Sequence, residues 1–149
     1  MRFERLLADL PKDIDTLAVE AGAENVKSVA RLISDWRSGA ERFEKPGEIL
    51  IAAFDEATLV GIGGATIETH APDGHRAFRM RRYYVRQSWR RRGVGRALAA
   101  RVIEHVLETC DLLTVNAGVP GAAPFWEALG FERVADPTRT HELTKNRPR

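Results

Sequence analysis

Apolar positions recur at helical spacing twice near the start of the chain. Ile14, Leu17, Ala18 and Ala21 share one face after Pro11, and Val26, Val29, Ala30, Ile33 and Trp36 repeat the pattern as far as Gly39. Two amphipathic helices are therefore predicted, with Phe3 to Leu6 as a short strand before them. The pattern then changes period. Glu48 to Phe54 (EILIAAF) and Thr58 to Thr69 (TLVGIGGATIET) are compact apolar runs joined by Asp55, Glu56 and Ala57, the arrangement of a hairpin. A turn-rich segment from His70 to His75 leads into a predicted strand from Phe78 to Val85.

Gly93 to Cys110 reads as a helix, because Val94, Leu98, Val102 and Val106 repeat every four residues while Arg101, Glu104 and Glu108 take another face. Leu112 to Val115 is a short buried strand, and Pro124 to Leu129 a short helix closed by Gly130 at the position after its C-cap. Phe131 to Ala135 and Thr140 to Thr144 supply two last strands. The order β-α-α-β-β-β-α-β-α-β-β is α+β, with one strand-helix-strand crossover. No repeat or Pro/Ser-rich linker interrupts it, so residues 1–149 are expected to form one domain.

Composition is that of an ordinary soluble domain, 44% apolar and 30% charged. Cys110 is the only cysteine, which excludes an intrachain disulfide and any cysteine-based zinc site; no metal is expected. Arg2, Glu4, Arg5 and Asp9 break the apolar stretch a signal peptide needs, and no run approaches the roughly 18 apolar residues of a membrane span. A reducing, cytoplasmic location and no membrane partner are the expectations. The formal charge of +2 conceals a division along the chain. Residues 76 to 101 hold ten arginines and no acid, which leaves 13 bases and 21 acids elsewhere. Any functional reading has to explain that segregation.

The densest part of the basic stretch is Arg90-Arg91-Arg92-Gly93-Val94-Gly95-Arg96, between a predicted strand and a predicted helix. The first amides of a helix lack intrahelical partners and carry the positive end of its dipole, so this turn is a ready anion site. Glycines let the backbone approach the anion, and the arginines add charge suited to a pyrophosphate. The dinucleotide fingerprint fails because Leu98 stands where a third glycine is needed, and no Gly-Lys-Ser/Thr of a P-loop occurs.

In this loop the chain resembles the GNAT N-acetyltransferase superfamily. Arg90, Gly93 and Gly95 match its pattern Gln/Arg-x-x-Gly-x-Gly/Ala, and Ala122 to Phe131 (AAPFWEALGF) is similar to its second motif, Ala-x-x-(Phe/Leu)-Tyr-x-x-x-Gly-Phe. The resemblance runs from about Glu48 to Thr144. It implies a mixed, mostly antiparallel sheet with helices on both faces, an α/β sandwich, and a fourth and fifth strand that splay apart. It also implies acetyl-coenzyme A as cosubstrate and a small-molecule or peptide amine as acceptor. Amides of Arg91, Arg92, Gly93, Val94, Gly95 and Arg96 would hold the pyrophosphate, flanked by Arg90; the backbone of Tyr84 and Val85 would pair with the pantetheine arm, and the Val85 amide would polarise the thioester. Asn116 and Trp126 are further cofactor candidates. Homodimers are common in the family.

Two family features are missing. The tyrosine that many members use as general acid falls on Trp126, whose indole N–H is only a hydrogen-bond donor. The fourth-strand glutamate that some members use as base falls on Arg79. Glu68, His70, His75, His141 and Glu142 remain as base candidates, Glu68 and His141 being carried forward; Cys110 as an acyl-carrying nucleophile is the competing route. The acceptor stays open: 14 acids against 8 bases in residues 1–75 suit a polyamine or aminoglycoside, whereas Arg79 and Arg81 suit an acceptor with a carboxylate. Two other readings compete with the enzyme. One is an RNA-binding module using the arginines with Phe78, Tyr83, Tyr84 and Trp89, which lacks any RNA-binding fingerprint. The other is a coenzyme A-binding regulator that has lost turnover.

Overall fold

The computed structural model describes residues 1–145. Its seven strands form one sheet: β1 (Arg2–Arg5), β2 (Ile49–Asp55), β3 (Thr58–Ile67), β4 (Ala77–Val85), β5 (Leu112–Val115), β6 (Glu132–Asp136) and β7 (Arg139–Thr144). Their spatial order is β1-β2-β3-β4-β5-β7-β6, and every neighbouring pair is antiparallel except β4 with β5. Helices α1 (Ile14–Ala23) and α2 (Ser28–Ser38) pack on one face, where Leu17, Leu32 and Trp36 meet Leu50, Leu59 and Ile62. Helix α3 (Val94–Val106) and the short α4 (Ala122–Ala128) cover the other, where Leu98, Val102 and Trp126 meet Ile51, Phe78 and Leu113. This is the α+β sandwich expected from the sequence.

Most boundaries fall within two residues of the predicted ones, and the larger difference has a local cause. The helix predicted to reach Cys110 ends at Val106, since the next residues form a turn in which the Thr109 and Cys110 amides both donate to the Val106 carbonyl. Asn25, in the left-handed region at φ 65°, closes α1 with the paired bonds of a Schellman turn, Asn25 N–H to the Gly22 carbonyl and Val26 N–H to that of Ala21. The buried carboxylate of Glu48 accepts from the amides of Lys45 and Ile67, which ties the start of β2 to the end of β3.

A bulge on β4 determines what reaches the site. The pairs Ile62 with Tyr84 and Gly64 with Arg81 leave one extra residue on β4, and Arg82 takes φ 66° there. Before the bulge, Phe78 and Met80 face α3; strict alternation would send Tyr84 the same way. The extra residue reverses the phase, so Tyr84 packs with the α1–α2 layer and Tyr83 with the α3–α4 layer.

Glycines inside β3 make room for these neighbours. A Cβ at Gly64 would press against the Ile49 carbonyl oxygen, which is backbone and cannot yield. Gly64→Ala is expected to cost about 1–3 kcal/mol by overpacking. Gly22, with open space around its Cβ direction in α1, is expected to gain about 0.5–1 kcal/mol on change to Ala. Urea denaturation of the two variants checks both signs.

Candidate active site

Parallel pairing between β4 and β5 is limited to Ala77 with Leu112, Phe78 with Leu113 and Arg79 with Thr114. Beyond these the two strands part. The opening continues into a cavity of about 820 Å³. Met80, Arg82, Tyr83, Tyr84 and Val85 line it from β4, and Val115 and Asn116 from the end of β5. Val119, Ala122, Phe125 and Trp126 form the wall toward α4, and Asn25 to Ser28 with Arg31 the wall toward α2. The indole of Trp126 lies edge-on to Tyr83, Phe125 and Phe131, with centroids 5.0, 4.9 and 5.4 Å away. This aromatic cluster packs α4 against Tyr83 of β4 beside the opening.

The strand backbone presents a usable donor at the opening. Arg86 N–H donates to the Val60 carbonyl at 2.8 Å, so β4 turns that peptide group toward β3. Strand alternation then turns the N–H and carbonyl of Val85 the other way, toward the edge from which β5 has departed. It also turns the Tyr84 peptide toward β3. Of the two residues that the resemblance names for this edge, Val85 thus turns its peptide toward the opening, while Tyr84 lines the cavity with its peptide turned toward β3.

The arginine loop is anchored at several points. The Trp89 indole donates to Asp55 at 2.9 Å, and Arg86 meets Glu20 at 3.2 Å. Arg90 donates through Nε to the Val85 carbonyl at 2.9 Å and grips Glu24 with both terminal nitrogens at 2.7 and 2.6 Å. Glu24 also accepts from the Tyr84 hydroxyl. The Arg90 and Tyr84 hydrogen bonds hold the Glu24 carboxyl below the usual range, whereas burial and the same carboxylate push the Tyr84 phenol up. Arg90 is therefore occupied as a clamp between α1 and β4.

After the clamp the loop is free. Arg91 has φ 63° and Gly93 φ 80°, with Arg92 outside the left-handed region between them, an alternation of the kind that turns successive amides toward one side. Ala97 N–H makes the first bond of α3, to the Gly93 carbonyl at 3.0 Å, so the amides of residues 94 to 96 project from the helix end. A Cβ on Gly93 would meet nothing within 4 Å, which leaves space for a ligand against this turn. Arg91 and Arg96 line the cavity and have no ion pair among the described residues. Arg92 and Val94 do not line it; the Val94 side chain packs with Ala53 and Val60.

The structure draws the base candidates away from this cavity. Glu68 is buried at the other end of β3, 3.5 Å from Arg79 and 3.9 Å from Arg139. His141 is buried between Thr140 Oγ1 at 2.8 Å and Glu127 at 2.8 Å. Glu142 is bound to Arg139, His75 lies 3.3 Å from Asp111, and His70 is exposed beside Thr69. Cys110 is buried and does not line the cavity, and burial pushes its thiol up, which disfavours the thiolate an acyl carrier needs. Among the described residues no Asp, Glu, His or Cys lines the cavity. Sequence reasoning missed Glu24, Lys27, Arg31 and Arg82, because nothing in local periodicity marks the bulge or the long-range pairing with α1.

The Glu24 clamp gives a pH signature. Its folded-state pKa lies below the unfolded value, so its stabilisation is present above about pH 4.3 and is lost as pH falls through the folded value. Thermal unfolding from pH 7 to 3 is expected to show Glu24→Gln less stable than the parent at neutral pH, with the difference closing on acidification.

Among curated proteins no sequence matches the chain. Solved structures do. A protein of Exiguobacterium sp. 255-15, provisionally classed as an acetyltransferase, is 25% identical with a TM-score of 0.85, covering 97% of this chain and 93% of its own. An aminoglycoside 6'-N-acetyltransferase complexed with coenzyme A is 16% identical with a TM-score of 0.71 over 100% of both chains. The GNAT family N-acetyltransferase YhbS of Escherichia coli, in complex with coenzyme A, is 15% identical with a TM-score of 0.69, covering 96% of this chain and 80% of that one. Residues 17–144 match the acetyltransferase (GNAT) domain, and the chain belongs to that family.

Proposed function

We propose that residues 1–149 form one N-acetyltransferase domain that uses acetyl-coenzyme A and delivers the acetyl group to a primary amine of a small molecule or peptide. The observation that carries this reading is the coincidence of the strand opening with the free loop: a cavity bounded by the Val85 edge, the left-handed turns at Arg91 and Gly93, and the unpaired Arg91 and Arg96. That set fits an elongated thiol ester with a pyrophosphate at one end. Amides of residues 91 to 96 would hold the pyrophosphate, the Val85 peptide would lie along the pantetheine amides, and Asn116 and Trp126 would close the far wall. Arg90 would act through its grip on Val85 and α1 and not as a phosphate ligand.

When bound, acetyl-coenzyme A supplies an acyl group already activated as a thioester. The chain's own part is placement. Holding the amine about 3–3.5 Å from the acyl carbon is worth roughly 7–11 kcal/mol, against about 3–5 kcal/mol for one acid or base. The Val85 N–H is oriented to donate to the acyl oxygen as charge develops on it. The C–N bond forms as the C–S bond breaks. Solvent takes the ammonium proton and protonates the departing thiolate, whose unperturbed pKa of about 8.5 makes it a tolerable leaving group.

Thiol release from acetyl-coenzyme A in the presence of mixed amines tests the activity, and calorimetry tests the loop. Gly93→Asp is expected to abolish coenzyme A binding by setting a carboxylate against the pyrophosphate; unchanged affinity would remove the loop assignment. Because the lining holds no titratable acid or base in the neutral range, log kcat/KM is expected to follow the acceptor's own ionisation alone. Glu68→Gln and His141→Gln should leave the midpoint of that profile where it is, and a shift in either would give that residue the role of base.

A further inference from the structure

The acids of the first two helices do not face the cavity. Glu20 and Glu24 of α1 are paired with Arg86 and Arg90, Asp15 with Arg37, and Asp35 of α2 with Arg82 at 3.3 Å. At the start of α2 the cavity is lined by Lys27, the residue that precedes the helix, by Ser28 and by Arg31, and the Arg31 charge acts on Arg82 of the bulge. Among the described residues neither Lys27 nor Arg31 has an ion pair, and the Arg82 side chain is only 14% exposed. Burial is the main pressure on the Arg82 charge, Arg81 and Arg31 add to it, and Asp35 offsets part. Among the described residues, then, only Arg82 of these three lining cations is paired with a carboxylate, and that carboxylate lies outside the cavity lining.

The same cavity also takes in the loop at the start of α3, whose Arg91 and Arg96 have no ion pair among the described residues. Resting on the acetyltransferase reading above, we propose that Lys27, Arg31 and Arg82 form an acceptor subsite that selects an amine carrying an anionic group, a carboxylate or a phosphonate, close to the nitrogen that is acetylated. Guanidinium forks and an ammonium match the oxygens of either group. A polyamine or an aminoglycoside would instead bring its positive charges against an uncompensated positive wall. A carboxylate in this place would remove the like-charge repulsion between Arg31 and Arg82 and leave the amine free to reach the opening beside Val85. Three of the acids whose excess in residues 1–75 suggested a cationic acceptor, Asp35, Glu20 and Glu24, instead pair with arginines of β4 and the loop after it.

Matched acceptors test the assignment. The full chain is assayed with an amino acid and its amide, an aminoalkylphosphonate and the parent alkylamine, and 1,5-diaminopentane. The expected result is a kcat/KM at least about tenfold higher for the anionic member of a pair, with the carboxylate and phosphonate arms showing which group is preferred. Lys27→Gln and Arg31→Gln should each raise KM for the anionic acceptor by about tenfold and leave both its kcat and the coenzyme A affinity unchanged. Equal rates within each pair, or preference for the diamine, overturns the subsite and leaves the acetyltransferase intact. Loss of coenzyme A affinity in these variants also overturns it, by giving the cations to the cofactor phosphates. If no amine is turned over, calorimetry on the coenzyme A-loaded chain decides. Glutarate or methylphosphonate binding that Arg31→Gln abolishes supports the subsite, whereas diamine binding, or none of these, rejects it. Failure of coenzyme A to bind at all is the distinct outcome that removes the enzyme reading itself.

Discussion

The parting of β4 from β5 is the constraint on which the rest depends. A sheet normally continues its ladder for as long as both strands last, because each unpaired amide in a dry interior costs more than a hydrogen bond gains. Here the ladder stops after three registered pairs although β4 runs on to Val85. Two things keep it open. The bulge at Arg82 bends β4 and reverses its side-chain phase, and the edge-on contacts of Trp126 fasten α4 to Tyr83 beside the open edge. The exposed edge is then a liability unless something polar lies along it, and an extended ligand with amides of its own is such a partner.

Electrostatics fixes how that edge is presented. Ten arginines in residues 76 to 101 would repel one another strongly if none were compensated. The fold brings acids from α1, α2 and the end of β3 to four of them, so Arg79, Arg82, Arg86 and Arg90 each have a carboxylate partner. Those of Arg79, Arg82 and Arg86 are partly buried, where breaking a pair leaves an uncompensated charge that costs more than a surface pair contributes. The same pairing fastens the first helices to β4 and to the turn after it. Arg91, Arg92 and Arg96 are left over at the mouth of the helix end, and they concentrate positive charge where the amides already point.

Much of this was legible in the sequence. Periodicity placed every helix and strand, and Gly130 was readable as a helix terminator from its place after an apolar run. Arg90, Gly93 and Gly95 located the loop. Other features depend on contacts made across long stretches of chain. Arg90 matches a family position, yet its partner Glu24 lies 66 residues away, and only the fold shows that the guanidinium is a clamp. The bulge at Arg82 leaves no mark in a run of Arg, Arg, Tyr, Tyr, because either phase of that run looks plausible. Glu68 and His141 read as chemistry since they are a carboxylate and an imidazole on predicted strands. Burial and salt bridges turn them into fasteners between β3, β7 and α4.

The replacement of the two usual proton-transfer groups by Trp126 and Arg79 has a physical logic of its own. An arginine on β4 at that position needs a carboxylate, and it draws Glu68 to it instead of leaving a carboxylate free in the cavity. A tryptophan at the other position gives up an ionisable hydroxyl but brings a larger apolar surface, which holds the opening and keeps water from the wall that α4 supplies. A site built in this way depends on positioning and on one backbone donor. In the proposed reaction those are the terms that stay constant with pH, which would leave the rate to the titration of the acceptor amine. Selection of the amine in the proposed reaction would then come from charge and shape at the α2 wall, because among the described residues the cavity lining offers no carboxylate to discriminate among cations.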